Sequence, residues 1–221
     1  MTGTAESEKR AAAEAAATLV ADGMTVGLGT GSTVHHLLVA LGRMQPRIRC
    51  VATSVRTAEE AATLGIAVEP FDRLDRLDLA IDGADQIAPD GWLVKGGGGA
   101  HTREKIVAAA ADRFVVIADS SKVVDRITAP IPLELHAFGV AATLRGLGPV
   151  TRRAAAPSPD GGVIADYLGP VDDPAALAVH LAAFPGVVDH GLFPPNLTAT
   201  VIVAEGSRIE IRDLRTDPRP D

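Results

Sequence analysis

The chain has 221 residues, a formal net charge of −7 and a pI near 5.3. Cys50 is its only cysteine, so neither an intrachain disulfide framework nor a cysteine zinc site can form. No basic block exceeds two residues and no apolar run approaches the ~18 residues of a membrane span, which argues against nucleic-acid and membrane partners.

Residues 5–22 are alanine-rich with Glu, Lys and Arg, a helix composition. The polar opening lacks the apolar core of a signal peptide, so a reducing, cytoplasmic setting is expected. Residues 24–29 read as a strand running into Gly29, Thr30, Gly31, Ser32 and Thr33, and residues 34–41 as a helix. Strand 48–53, with Cys50 as a buried thiol, helix 57–64 and a short strand 66–68 follow. Strand 77–82 ends in acid, strand 92–95 ends in Lys95, helix 102–111 follows, and 114–118 is an uninterrupted apolar strand. Aromatics are 3% of the chain, so Ala, Val, Leu and Ile must build the core. Repeated β-then-α order with apolar strands predicts a Rossmann-like parallel sheet covered on both faces.

Near Pro130 the pattern changes. Strands 131–135, 150–155, 163–168 and 187–192, with helices 137–147 and 174–184, give β-α-β-β-α-β order. That is the split, ferredoxin-like α+β motif. Segments 198–204 and 207–212 read as a hairpin returning to the first sheet, and residues 215–221 as a disordered tail. The expected organisation is an α/β Rossmann-like catalytic domain from 1–129 and 197–221, and a small α+β domain from 130–196.

Three loops carry candidate chemistry. In Gly27-Leu28-Gly29-Thr30-Gly31-Ser32-Thr33 the glycines permit close backbone approach, and the following helix start presents N–H groups to an anion. No Gly-Lys-Ser/Thr follows, and the third glycine is misplaced for a dinucleotide fingerprint. The plainer reading is a tight turn. Asp82-Gly83-Ala84-Asp85 ends a buried strand, where open α/β sheets bind ligands. Its carboxylates can accept sugar hydroxyl protons, act as acid or base, cap a turn, or hold Mg²⁺ through waters. In Lys95-Gly96-Gly97-Gly98-Gly99-Ala100, four glycines are costly to order, which suggests a close ligand approach beside a cation. Glu104 falls in the first turn of the next helix, where the helix dipole favours an ionised carboxylate. It reads as a base or as a plain helix-end charge. Lys122 places a cation after strand 114–118, or is an exposed loop lysine. Arg152 and Arg153 could reach a phosphate or are ordinary surface arginines, and the histidines show no metal spacing.

Together these residues resemble the type A ribose-5-phosphate isomerase family. The matching segments, in family order, are GLGTGST at 27–33, DGAD at 82–85, KGGGGA at 95–100, TREKI at 102–106 and DSSK at 119–122, then IPLEL at 131–135, PGVV at 185–188 and GLF at 191–193. The resemblance covers roughly residues 8–212. The resemblance implies a cofactor-free, metal-free isomerase interconverting D-ribose 5-phosphate and D-ribulose 5-phosphate in the non-oxidative pentose phosphate pathway. It also implies a small domain used mainly in contacts of a homodimer or homotetramer. By position, Glu104 matches the catalytic base. Thr30, Gly31, Ser32, Thr33, Asp82, Gly83, Ala84, Asp85, Lys95, Gly96, Gly97, Gly98 and Lys122 match substrate-contacting positions.

Aldose–ketose exchange moves a proton between C1 and C2 through a cis-enediolate. Glu104 can carry that proton, and Lys95 with the glycine amides can face the developing oxyanion. Asp82 and Asp85 can shuttle hydroxyl protons or assist ring opening, in either assignment. The phosphate falls to Lys122 or to the loop Thr30 to Thr33. Gln86 replaces a family glutamate, and His101 an apolar residue beside the base. The stretch 153–162 lacks the family's Thr-Asp-Asn-Gly-Asn pattern, a departure expected to concern the small domain rather than the site. Two alternatives are a non-catalytic sugar-phosphate sensor domain, as in deoxyribonucleoside-type repressors, and an isomerase of another sugar phosphate. The roughly twenty residues before the first strand are too few for the helix-turn-helix of such repressors.

Overall fold

The computed structural model describes residues 2–214; the expected tail 215–221 lies outside the described residues. The chain divides into two compact units. One comprises the residues up to Ala84, Arg103–Val123 and those from Asn196; the other comprises Asp85–Thr102 and Val124–Pro195.

The first unit is Rossmann-like. Its strands are β1 (Thr25–Leu28), β2 (Arg49–Ala52), β3 (Leu77–Gly83), β6 (Ala111–Asp119), β12 (Thr200–Glu205) and β13 (Arg208–Asp213), β4 and β5 falling in the other unit. They form one sheet in the order β13-β12-β6-β3-β1-β2. All neighbours are parallel except β13, which pairs antiparallel with β12 at the edge. The expected closing hairpin is this β12–β13 pair, with Gly206 at φ 58 in its two-residue turn. Helices α1 (Thr2–Ala17), α2 (Ser32–Met44) and α3 (Val55–Thr63) accompany the sheet. α1 buries Ala12, Ala13, Ala16 and Ala17 in a core shared with Leu37, Leu41, Ile81, Ile117 and Ile202. Its short side chains allow that close approach. Cys50 is fully buried in β2, and burial pushes its thiol up to about 12. The strand expected at 66–68 is reduced to one bridge, between Cys50 and Val68. Gly65 at φ 77 precedes it and Pro70, lacking an N–H, follows.

The second unit contains the β-α-β-β-α-β order: β7 (Ile131–Leu135), α5 (Val140–Leu147), β8 (Val150–Arg152), β9 (Val163–Tyr167), α6 (Pro174–Ala182) and β10 (Val187–His190). Its sheet order, β10-β7-β9-β8, is antiparallel throughout, as in ferredoxin-like folds. A second small sheet joins β4 (Gln86–Ile87), β5 (Leu93–Val94) and β11 (Leu192–Phe193). Residues 85–102, expected in the first domain, therefore belong to this unit. The loop between β3 and β5 is too short for the crossover that parallel pairing requires, so β5 pairs antiparallel with β4 and β11. Residues 124–129 follow, because Val124 N–H bonds the carbonyl of Ile87 and Thr128 bonds Gln86. Helix α4 (His101–Ala110) begins in this stretch and continues into the first unit. No helix among the described residues is long and apolar enough to cross a membrane.

Candidate functional site

In the first unit the candidates gather where adjacent parallel strands β1, β3 and β6 end. Asp82, 3% exposed, closes β3. Its Oδ1 accepts the N–H of Thr30 at 3.0 Å and of Gly83 at 2.7 Å. This ties the acidic loop to the glycine loop. Gly29 makes the approach possible, since a Cβ there would sit 1.9 Å from Asp82 Oδ1. The Thr30 hydroxyl is engaged with the hydroxyls of Thr53, Ser54 and Thr57 at 2.8–3.1 Å, and Thr57 Oγ1 donates to the Gly29 carbonyl. That hydroxyl thus braces the loop, a cluster that sequence spacing does not reveal.

Gly31, at φ 128, is the N-cap of α2 and brings no capping side chain. The first helical bond is His35 N–H to the Gly31 carbonyl. The N–H groups of Ser32, Thr33 and Val34 therefore have no intrahelical acceptor, an arrangement whose dipole favours negative charge. Ser32 is exposed and Thr33 nearly buried. His35 and His36 point elsewhere, to Glu60 and Glu6.

Glu104 is 4% exposed in the first turn of α4. The packing of α4 explains its position. Val107 sits over Gly27, where any Cβ would fall 2.4 Å from Val107 Cγ1. α4 runs directly into the start of β6, so helix and strands are opposed in direction. Glu104 shares a face with Val107, one turn earlier, and is carried toward the strands' carboxyl ends.

Lys122 ends a 3₁₀ turn after β6, capped by Asp119, whose carboxylate accepts Ser121 N–H at 3.1 Å. Its ammonium forms no hydrogen bond or ion pair among the described residues. The turn is anchored from α1. Buried Glu8 accepts Ser120 N–H at 3.1 Å, Ser120 Oγ at 2.8 Å and Gly206 N–H at 2.8 Å. Those bonds, Gly206 N–H foremost, hold its carboxyl below the usual range. Glu8 was not a candidate from sequence, where it is one charge among several on a helix.

In the second unit, Asp85 and the glycine segment meet. Asp85 N–H bonds the Val94 carbonyl at 2.7 Å, and Asp85 Oδ2 accepts Gly97 N–H at 2.8 Å. Lys95 is 2% exposed, with its Nζ 5.5 Å from the centre of the Phe193 ring. Its backbone N–H bonds the Gly191 carbonyl at 2.9 Å. Gly96 and Gly99 take φ 108 and 73, conformations only glycine adopts readily, while Gly97 and Gly98 are exposed. His101 is fully buried, its ring against the Gly96 backbone.

The small-domain departures do concern the glycine segment. Arg153 Nη1 donates to the carbonyls of Gly96 and Gly97 at 2.8 and 3.1 Å. Its Nε and Nη2 grip Asp166 at 2.7 and 2.6 Å, which raises the guanidinium pKa further. Buried Glu134 accepts Thr102 Oγ1 at 2.5 Å and also the Ser158 hydroxyl. Ser158 Oγ in turn receives Gly162 N–H at 2.9 Å. The 153–162 stretch thus braces the segment through side chains far away in sequence. Gln86 also has a local reason: its Nε2 donates to the Thr128 carbonyl at 2.8 Å, and its Oε1 accepts Thr128 N–H at 2.9 Å. A glutamate could make only the second bond.

Comparison with known proteins gives the same direction. The sequence model of ribose 5-phosphate isomerase A (phosphoriboisomerase A) matches residues 49–208, and that of the DeoR C terminal sensor domain matches residues 4–69. Ribose-5-phosphate isomerase A of Halobacterium salinarum is 42% identical, covering 96% of this chain and 97% of its own. That of Roseiflexus sp. is 45% identical, covering 92% and 94%. The crystal structure of ribose 5 phosphate isomerase A from Neisseria gonorrhoeae superposes with a TM-score of 0.91 at 32% identity, covering 96% of this chain and 99% of that one. A D-ribose-5-phosphate isomerase in complex with phospho-erythronic acid superposes with a TM-score of 0.89 at 30% identity, covering 95% and 99%. Ordered motifs, two matching units and similarity along nearly the whole length agree, and the chain belongs to the ribose 5-phosphate isomerase A family.

Proposed function

We propose that the chain interconverts D-ribose 5-phosphate and D-ribulose 5-phosphate through a cis-enediolate, without a cofactor, in the non-oxidative pentose phosphate pathway. The observation that carries this reading is Glu104, a nearly buried carboxylate in the first turn of α4, carried to the carboxyl edge of a parallel sheet. Within the family reading, Glu104 takes the C2 proton of the open-chain aldose. Electrons move to the C1 oxygen and the cis-enediolate forms. The O2 proton passes to O1, and delivery of the carried proton to C1 gives the ketose. The proton count is unchanged and nothing is oxidised overall.

Lys95 and the glycine amides stabilise the developing oxyanion. Asp82 and Asp85 exchange hydroxyl protons and assist ring opening. The phosphate is assigned to the N–H groups at the start of α2 or to Lys122. Phospho-erythronic acid, held by the related isomerase, carries a carboxylate whose two oxygens mimic an enediolate, and it is expected to bind here. The sensor match ends at residue 69, before Asp82, Lys95 and Glu104, which supports catalysis over sensing. Cytoplasmic residence and a homodimer or homotetramer belong to the same proposal. Large apolar side chains left exposed on the second unit, Phe138 at 95% and Val179 at 71%, support assembly.

Purified protein, assayed without added metal, is expected to equilibrate the two pentose phosphates. Binding of ribose 5-phosphate without turnover would instead establish a sensor, and turnover of a different sugar phosphate would redirect the substrate assignment.

A further inference from the structure

Arg153 lies outside every family motif quoted above, yet three of its nitrogens are engaged within the second unit. Two of its nitrogens are fixed on Asp166, and the third reaches the carbonyls of Gly96 and Gly97. Both partners are mostly buried, with side chains 21% and 19% exposed. The Gly96–Gly97 peptide is held at both ends, because its N–H goes to Asp85 Oδ2. Among the described residues the Gly97–Gly98 peptide is held at one end only, by Arg153 at the Gly97 carbonyl. A trans peptide is planar, so a carbonyl turned to Arg153 sends the Gly98 N–H the opposite way. Gly98 is exposed. Between two glycines this peptide can flip at little cost, and the guanidinium is the group that prevents it.

We propose that Arg153, aligned by Asp166, is a positioning residue that fixes the Gly97–Gly98 peptide with its N–H presented to the anionic oxygens of the sugar phosphate. It acts through Gly98 and does not touch the substrate. The proposal rests on the isomerase reading. A fork of donors is required: a lysine is a point charge that cannot grip Asp166 and two carbonyls together.

The test compares wild type, R153A, R153K and D166N for kcat, KM and hydrogen exchange of the 95–100 segment. Misplacement by about 1 Å costs roughly 100-fold, so R153A is expected to lose ~10–100-fold in kcat. R153K should remain impaired, and exchange at the hydrogen-bonded Gly97 and Gly99 amides should rise. Millimolar guanidinium ion should restore part of the R153A turnover, whereas ammonium should not. A general loss of structure would not show that selectivity. If R153A does not fold, D166N tests the same alignment and should show a smaller kcat loss with faster exchange. Wild-type kcat in R153A, or a kcat loss with unchanged exchange and no rescue, would overturn the proposal. A wild type without turnover would overturn the isomerase reading instead, and the exchange measurement would still decide the role of Arg153.

Discussion

Replacing Gly29 by alanine adds one methyl group at the point where the glycine loop meets Asp82. That Cβ would stand 1.9 Å from Asp82 Oδ1 and 2.0 Å from its Cγ, whereas ordinary contact begins near 3.4 Å. The carboxyl must therefore retreat by about 1.5 Å. A shift of that size breaks the bonds from Thr30 N–H and Gly83 N–H, now 3.0 and 2.7 Å. The backbone at Gly29 is not in the left-handed region, so the cost is steric. Overpacking of this kind costs about 1–3 kcal/mol, or roughly 2–12 °C in Tm for a chain of this size. If Asp82 handles substrate hydroxyl protons, the same displacement should lower kcat ~100-fold. The assays are thermal melting followed by circular dichroism, and turnover at saturating ribose 5-phosphate. D82N is the companion variant, expected to melt near wild type while losing activity, because the amide oxygen still accepts both N–H groups. A G29A protein that melts lower but turns over at the wild-type rate would remove Asp82 from the chemistry. Unchanged melting would refute the close packing itself.

Two further substitutions probe the supports. The Glu8 carboxyl, depressed below 4.5 by Gly206 N–H and then Ser120, contributes stability that is present above pH 4.5 and lost as pH falls through its folded value. E8Q should therefore melt below wild type at pH 7, with the gap closing as pH falls below 4.5 and through the depressed folded value; a gap that is constant with pH would contradict this. Q86E should lose about 1 kcal/mol at pH 7, because a carboxylate would face the Thr128 carbonyl. Below pH 4 the protonated acid can donate and the loss should shrink, which parallel urea melts at the two pH values will show.

The parallel sheet was legible because its strands are continuous apolar runs, as at Leu79 to Ile81 and Phe114 to Ala118, each followed by a polar or glycine-rich loop. The β-α-β-β-α-β order was legible for the same reason. The unit to which Lys95 belongs was not, because it depends on the antiparallel pairing of two-residue strands that carry no periodic signal. The braces were hidden as well. Arg153 lies 57 residues from Gly96, and Glu8 lies 112 from Ser120. A lone arginine or glutamate looks the same in sequence whether it is solvated or gripping a distant backbone. Gln86 shows the converse: a departure from the family pattern becomes ordinary once its two bonds to Thr128 are seen.

The proposed mechanism rests on Glu104 carrying the proton between C1 and C2. The most direct measurement is kcat for E104Q against wild type on ribose 5-phosphate, with phospho-erythronic acid binding and thermal melting as controls for an intact fold. E104Q is expected to lose at least ~100-fold in kcat with binding and melting retained. Turnover equal to wild type would contradict this and remove Glu104 as the base.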